Sequence, residues 1–128
     1  MKEFKVYSDN KRGELARVAE ALAQSSVNIE AIASENSHPE AFLRIVTNDV
    51  NTTKRALSRA GFEFEEKNII VLDLIDRPGE LAKLAKRMTR AGVNIESIYL
   101  LEKARVALAV DDLEKAMKVI KEKYKSFM

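Results

Sequence analysis

The chain has no cysteine and no tryptophan, and only one histidine, two prolines and four glycines among its 128 residues. Without cysteine there is neither a structural disulfide nor a thiolate metal site. His38 has no second histidine or cysteine with which to form a zinc site or a nucleophile–base pair. Its place before Pro39 in a polar turn reads as surface. No apolar run approaches the roughly 18 residues of a membrane span, and the opening residues MKEFKVYSDNKRG lack the apolar core of a leader. Charge of either sign is not in excess either. The 22 basic residues face 20 acidic ones for a net +2, interleaved as on a solvated surface rather than gathered as in a nucleic-acid binder. Neither glycine pattern of the nucleotide phosphate loops occurs, and no pair of carboxylates sits in an apolar setting. The expectation is a soluble cytoplasmic protein that is not an enzyme, uses no metal or cofactor, and binds no nucleic acid and no membrane. A single glutamine with abundant lysine and glutamate leans toward a heat-loving source.

What the sequence does contain is itself, twice. Residues 13–32 read GELARVAEALAQSSVNIEAI, and residues 79–98 read GELAKLAKRMTRAGVNIESI. At this offset of 66, ten of twenty positions are identical. Two copies at so long a spacing describe a duplicated small domain rather than a solenoid. The units are expected at residues 1–67 and 68–128. Each has about 60 residues, a size that buries too little surface to be comfortable alone, so each is expected to share an interface.

Within each copy the hydrophobic period alternates between two and about 3.6. In the first, Phe4-Val6 alternation gives a strand, and Leu15, Val18, Ala19 and Leu22 give a helix. Strands over 27–32 and 41–46 follow. Asn48-Asp49 start a second helix that Gly61 ends, and Phe62 to Glu65 alternate as a fourth strand. The order is β-α-β-β-α-β. In the second copy, Ile69 to Ile75 is too continuously apolar for a strand with one wet face. Pro78 suits the first turn of a helix carrying Leu81, Leu84 and Met88. Strands over 93–101 and 105–110 flank a tight turn, and Asp111 with Glu114 resembles a capping box for the last helix. After Tyr124 scarcely enough chain remains for a fourth strand. The gap in this sheet can be filled by 62–66 folding back on 69–74 across the short Lys67-Asn68 link, by a strand from another subunit, or left as a truncated edge. The hairpin is favoured.

The residues that recur at both ends of the repeated helix are the candidates for chemistry. A helix start offers unpaired N–H groups and a positive dipole end, which suit a carboxylate or phosphate. Gly13 or Gly79 leaves the backbone there open. Asn28 or Asn94 can donate and accept, and so meet both ends of an amino acid, with Asp9 or Asp76 for the ammonium. The same residue types also serve as plain turn and cap residues. Glu30 and Glu96 read as solvent-facing, and Lys83, Lys86, Arg87 and Arg90 as a solvated helix face.

The stretch DRPGELAKLAKRMTRAGVNIESI resembles the ACT domain, a small regulatory module of amino-acid metabolism, through D-R-P-G-x-L, one amphipathic helix and G-V-N-I. The first copy keeps Gly13-Glu14-Leu15 and Val27-Asn28-Ile29, but has Arg12 where the second has Pro78 and Ser26 where it has Gly92. The resemblance implies an α+β fold: two ferredoxin-like units in tandem, antiparallel sheets joined edge to edge, helices on one face. It implies an amino-acid effector bound between the glycine loop of one unit and the asparagine segment of another. Carried over, the ligand-binding residues are Asp76, Arg77, Pro78, Gly79, Glu80, Leu81, Asn94 and Ile95, with Asn10, Lys11, Arg12, Gly13, Glu14, Leu15, Asn28 and Ile29 in the first copy. The regulated enzyme is expected on a separate chain. The second face of 69–75, with Tyr99 and Leu101, suits a sheet-to-sheet homodimer. The alternatives are an interaction module that binds no ligand and, further off, an RNA binder, which would need stacking aromatics on its central strands.

Overall fold

The computed structural model describes residues 1–9, 12–37 and 40–127. Asn10 and Lys11 of the candidate loop, and the turn at His38-Pro39, lie outside the described residues. The elements are β1 (Lys2–Ser8), α1 (Glu14–Gln24), β2 (Ile29–Ser37), β3 (Glu40–Thr47), α2 (Val50–Arg59), β4 (Phe64–Asn68), β5 (Ile70–Asp73), α3 (Glu80–Arg90), β6 (Ile95–Leu101), β7 (Arg105–Val110), α4 (Leu113–Lys123) and β8 (Ser126–Phe127). They form two compact units, Met1–Asn68 and Ile69–Met128. Each is β-α-β-β-α-β, with four-stranded antiparallel sheets ordered β2-β3-β1-β4 and β6-β7-β5-β8.

Alternation along β1 sends Phe4 and Val6 to one face. There they meet Val18 and Leu22 of α1, Ala56 and Leu57 of α2, and Leu43 and Ile45 of β3. In the second unit, Ile70 and Leu72 meet Leu84 and Met88 of α3, Ala116 and Ile120 of α4, and Val106 and Leu108 of β7. Both helices of each unit therefore cover the same face of its sheet. Val71, Ala107 and Tyr99, cross-strand neighbours on the other face, are buried as well. The unbroken apolar run of β5 reflects this burial on both faces.

Three helices end in the same way. The residue after the last turn adopts a left-handed conformation, and the next N–H reaches back five residues: Val27 to Leu22, Phe62 to Leu57 and Val93 to Met88, at 2.9, 3.0 and 2.9 Å. This closure satisfies carbonyls the helix leaves open and buries an apolar contact beside them. Gly61 and Gly92 hold the left-handed position in two cases, and Ser26, at φ 58°, in the third.

The structure departs from the sequence reading in several places. The strand after α2 does not fold back on β5. It pairs with β1, with Lys2 opposite Asn68 and Val6 opposite Phe64. An edge-to-face contact of Phe64 with Phe4 at 5.8 Å and a Lys2–Glu66 ion pair at 2.9 Å tie it there. The gap beside β5 is closed by β8, whose two residues pair with Val71 and Leu72. Tyr124 leaves α4 in extended conformation, and the Lys125 carbonyl accepts from the Asp73 N–H at 2.9 Å, so a few residues reach the edge. The last helix is capped by Asp112, which accepts from Lys115 N–H at 3.0 Å. Asp111 instead accepts from the Asn94 N–H at 2.8 Å. Pro78 stands outside α3, ahead of its glycine cap. Finally, β2 and β6 each carry a bulge, between Ile29 and Ala31 and between Ile95 and Ser97. The extra residue is Glu30 or Glu96, and it shifts the alternation so that Ile29 and Ile32 share a face, as do Ile95 and Ile98.

Candidate functional site

The two repeated helices start differently from the other two. Asp49 and Asp112 cap α2 and α4 with their side chains. The caps of α1 and α3 are Gly13 and Gly79, at φ 93° and 89°, and they offer no side-chain bond. This left-handed geometry by itself calls for glycine, since a Cβ at either position would meet nothing within 4 Å. The consequence is a pair of helix starts without a side-chain cap; at α3 the Glu80 N–H turns to the Arg77 carbonyl at 3.3 Å, and the positive dipole end at each start suits an anion.

Behind each glycine a glutamate turns inward. Glu80 is only 7% exposed. It accepts from Arg77 through Nε at 3.0 Å and through Nη2, and from Lys83 Nζ at 3.3 Å. The hydrogen bond from Arg77 holds the Glu80 carboxyl below its ordinary pKa, against the upward push of burial, and Lys83 adds to the lowering. Glu14 is likewise buried and accepts from Arg17 Nη1 at 2.8 Å. Glu80 thereby braces the loop against the helix, while Glu14 is held within its own helix. Lys83 and Arg17 occupy matching positions in the two repeats; the sequence reading took Lys83 for part of a solvated face and passed over Arg17.

The asparagines are elsewhere. Asn94 follows the C-terminus of α3 and Gly79 caps its start, so about 16 Å of an 11-residue helix separates them. Within one unit the glycine loop and the asparagine do not come together, and the same holds for Gly13 and Asn28. Asn94 is exposed, and its side-chain amide makes no hydrogen bond among the described residues. Asn28 contacts Glu30 at 3.4 Å. Ile29 and Ile95 pack against the two cores.

Asp76, Arg77 and Leu81 do converge, on a groove of about 460 Å³ in the second unit. Its size falls in the range of small-molecule sites, about 300–1,000 Å³. The other walls were not anticipated: Leu74 and Ile75 from the end of β5, Leu100 and Leu101 from β6, Lys103 and Ala104 from the β6–β7 turn, and Arg105 and Val106 from β7. Lys103 and Ala104 are both left-handed, at φ 61° and 54°, and the Ala104 carbonyl accepts from Leu74 N–H at 2.8 Å. Sheet pairing brings these distant segments to one place. In the first unit a polar pocket of about 290 Å³ lies beside the glycine loop, lined by residues that include Ser8, Asp9, Glu14 and Arg17. Arg17 stacks over the Phe62 ring at 4.7 Å. Among the described residues no three His, Asp or Glu side chains gather to hold a metal, and no helix is long and apolar enough to cross a membrane.

Tandem sheets of this order, each with two helices on one face and a glycine-capped first helix, define a duplicated ferredoxin-like fold. A family profile described as ACT domain pair matches residues 1–128, and the chain belongs to that family. Among solved structures it is similar to a protein from Bacteroides thetaiotaomicron, at 26% identity and a TM-score of 0.90, over 98% of this chain and 90% of that one. It is also similar to the ligand-free regulatory subunit of aspartate kinase from Thermus thermophilus (18% identity, TM-score 0.70, 94% and 91% covered). The fold recurs in E. coli aspartokinase III in complex with lysine and aspartate (19%, 0.55), where 94% of this chain covers 29% of that one. No curated protein sequence matches.

Proposed function

We propose that this ACT domain pair is an amino-acid-binding regulatory protein with no catalysis of its own, acting in the cytoplasm on an enzyme carried by a separate chain. The observation that carries the proposal is the contrast among helix starts. Two are capped by aspartate side chains, and the two behind the repeated glycines carry no side-chain cap. An α-carboxylate fits such donors, and the unengaged Asn94 amide offers further hydrogen bonds. Within one unit the two groups lie at opposite ends of one helix. The aspartate kinase neighbours support a regulatory use of the fold. Self-association as a homodimer belongs to the same proposal, and sedimentation tests it.

A thermal-shift screen against the twenty amino acids tests the ligand. One that binds only the folded state at a hundredfold excess over its Kd stabilises by about 2.7 kcal/mol. A shift confined to a chemically related group, and lost in Asn94→Ala, is the expected result. A flat screen at millimolar concentration would favour the second reading, an interaction module without a ligand, for which the exposed Ile32 and Ile98 on the outermost strands speak.

A further inference from the structure

We propose that the groove of the second unit takes amino acids with an apolar side chain, and that the first unit, which lacks its apolar wall, does not. The proposal rests on the amino-acid reading above and narrows it to one class of ligand and one site per chain.

The two repeats supply the comparison. Both expose Leu15 or Leu81 at the helix start, and both expose Ile32 or Ile98 on the outer strand. They part company at the groove. Ile75, 60% exposed, stands where the first copy has Asp9, and Leu100, 76% exposed, where it has Ser34. Leu74 and Leu101 likewise match Ser8 and Glu35. The equivalence is structural as well as numerical. Leu100 pairs with Val106 as Ser34 pairs with Leu43, and both of those partners lie in a core. So the apolar wall is a property of the second unit alone.

The charges on the rim complete the match. Arg77 is held by Glu80 and Arg105 by the Glu102 carbonyl at 3.1 Å. Asp76 and Lys103 also line the groove, and neither makes a hydrogen bond or ion pair among the described residues. Asp76 can take an α-ammonium, Lys103 an α-carboxylate, and the leucine and isoleucine wall the side chain. A charged side chain seated against that wall would give up water for leucine and isoleucine surface that offers it no hydrogen bond, which is costly.

Titration calorimetry of the whole chain with leucine, phenylalanine, aspartate and lysine tests this. Leucine or phenylalanine is expected to bind at least tenfold more tightly than the charged pair, with one ligand per chain. Leu100→Ser, which installs the residue of the matching position on an exposed site, and Asp76→Asn should each weaken binding at least tenfold at unchanged oligomeric state. Ser34→Ala should leave it unaltered. Aspartate or lysine binding as tightly as leucine would overturn the class while leaving the amino-acid reading intact. Undiminished leucine binding by Leu100→Ser, or a change in oligomeric state alone, would overturn the site. Silence from every amino acid would remove the amino-acid reading together with this proposal.

Discussion

Ser26 and Gly92 occupy the same place in the two repeats, and exchanging their residue types tests how the backbone sets stability. Ser26 closes α1 at φ 58° and Gly92 closes α3 at φ 76°. Each donates its N–H to the carbonyl three residues back, Ala23 or Thr89, at 3.0 Å. Ser26 is exposed, and its hydroxyl makes no hydrogen bond among the described residues. A residue with a Cβ in this conformation costs about 1–2 kcal/mol, and glycine gives back about 0.5–1 through its freer unfolded chain. Ser26→Gly should therefore stabilise by about 0.5–1 kcal/mol. At about 4–8 °C per kcal/mol for a domain of 60–100 residues, a melting transition of the first unit rises by about 2–8 °C. Gly92→Ser should lower stability by a similar amount. A Cβ there would meet nothing closer than Lys115 Nζ at 3.9 Å, so only the backbone term operates. Urea and thermal unfolding of both variants, followed by circular dichroism, give the answer. The urea slope should be unchanged, because neither substitution alters the surface exposed on unfolding. Equal signs for the two variants, or no gain from Ser26→Gly, would refute the reasoning.

Other consequences follow from the same structure. Ala104→Gly relieves a left-handed alanine in the β6–β7 turn and should stabilise by about 0.5–1 kcal/mol in urea. Because Glu80 has a folded pKa below its ordinary value, its contribution is fully present above the unfolded glutamate pKa of about 4.3 and is lost as pH falls through the folded value. The stability gap between the native protein and Glu80→Gln should thus be constant near neutral pH and narrow as pH falls below the unfolded value, and a gap that widens on acidification would exclude the linkage. Deleting residues 125–128 removes the partner of the Asp73 N–H, so exchange of that amide should quicken and the second unit lose about 0.5–1.5 kcal/mol for that bond alone. Unchanged exchange would mean β8 does not protect the edge.

Much of this architecture could be read from residue order because its signals are local. The duplication, the four helix stripes and the double burial of β5 all follow from spacing within a few turns or rungs. What escaped depends on pairing between distant segments. Ser126-Phe127 is too short to carry a period, yet it makes a strand because β5 has an open edge beside it. Phe62 to Glu66 could have served either unit, and pairing with β1, with the Phe64–Phe4 and Lys2–Glu66 contacts, assigns it to the first. The bulges at Glu30 and Glu96 hid inside what looked like regular alternation. For the site, the glycines were found for a sound reason, but the asparagines lie a helix length away. The groove was missed because β5, β6 and β7 assemble it from three segments. A signal was available, since Leu74, Ile75, Leu100 and Leu101 stand against Ser8, Asp9, Ser34 and Glu35 at the same offset that revealed the duplication.

The shared bulges also bear on self-templating growth. β2 and β6 are the outermost strands of their sheets, where unpaired backbone groups invite further chains to add. A bulge near the start of such a strand breaks the register that an incoming strand would have to follow. Long, uninterrupted fibril-like addition along β6 is thereby blocked, and any added strand is limited to the rungs from Ser97 to Leu101.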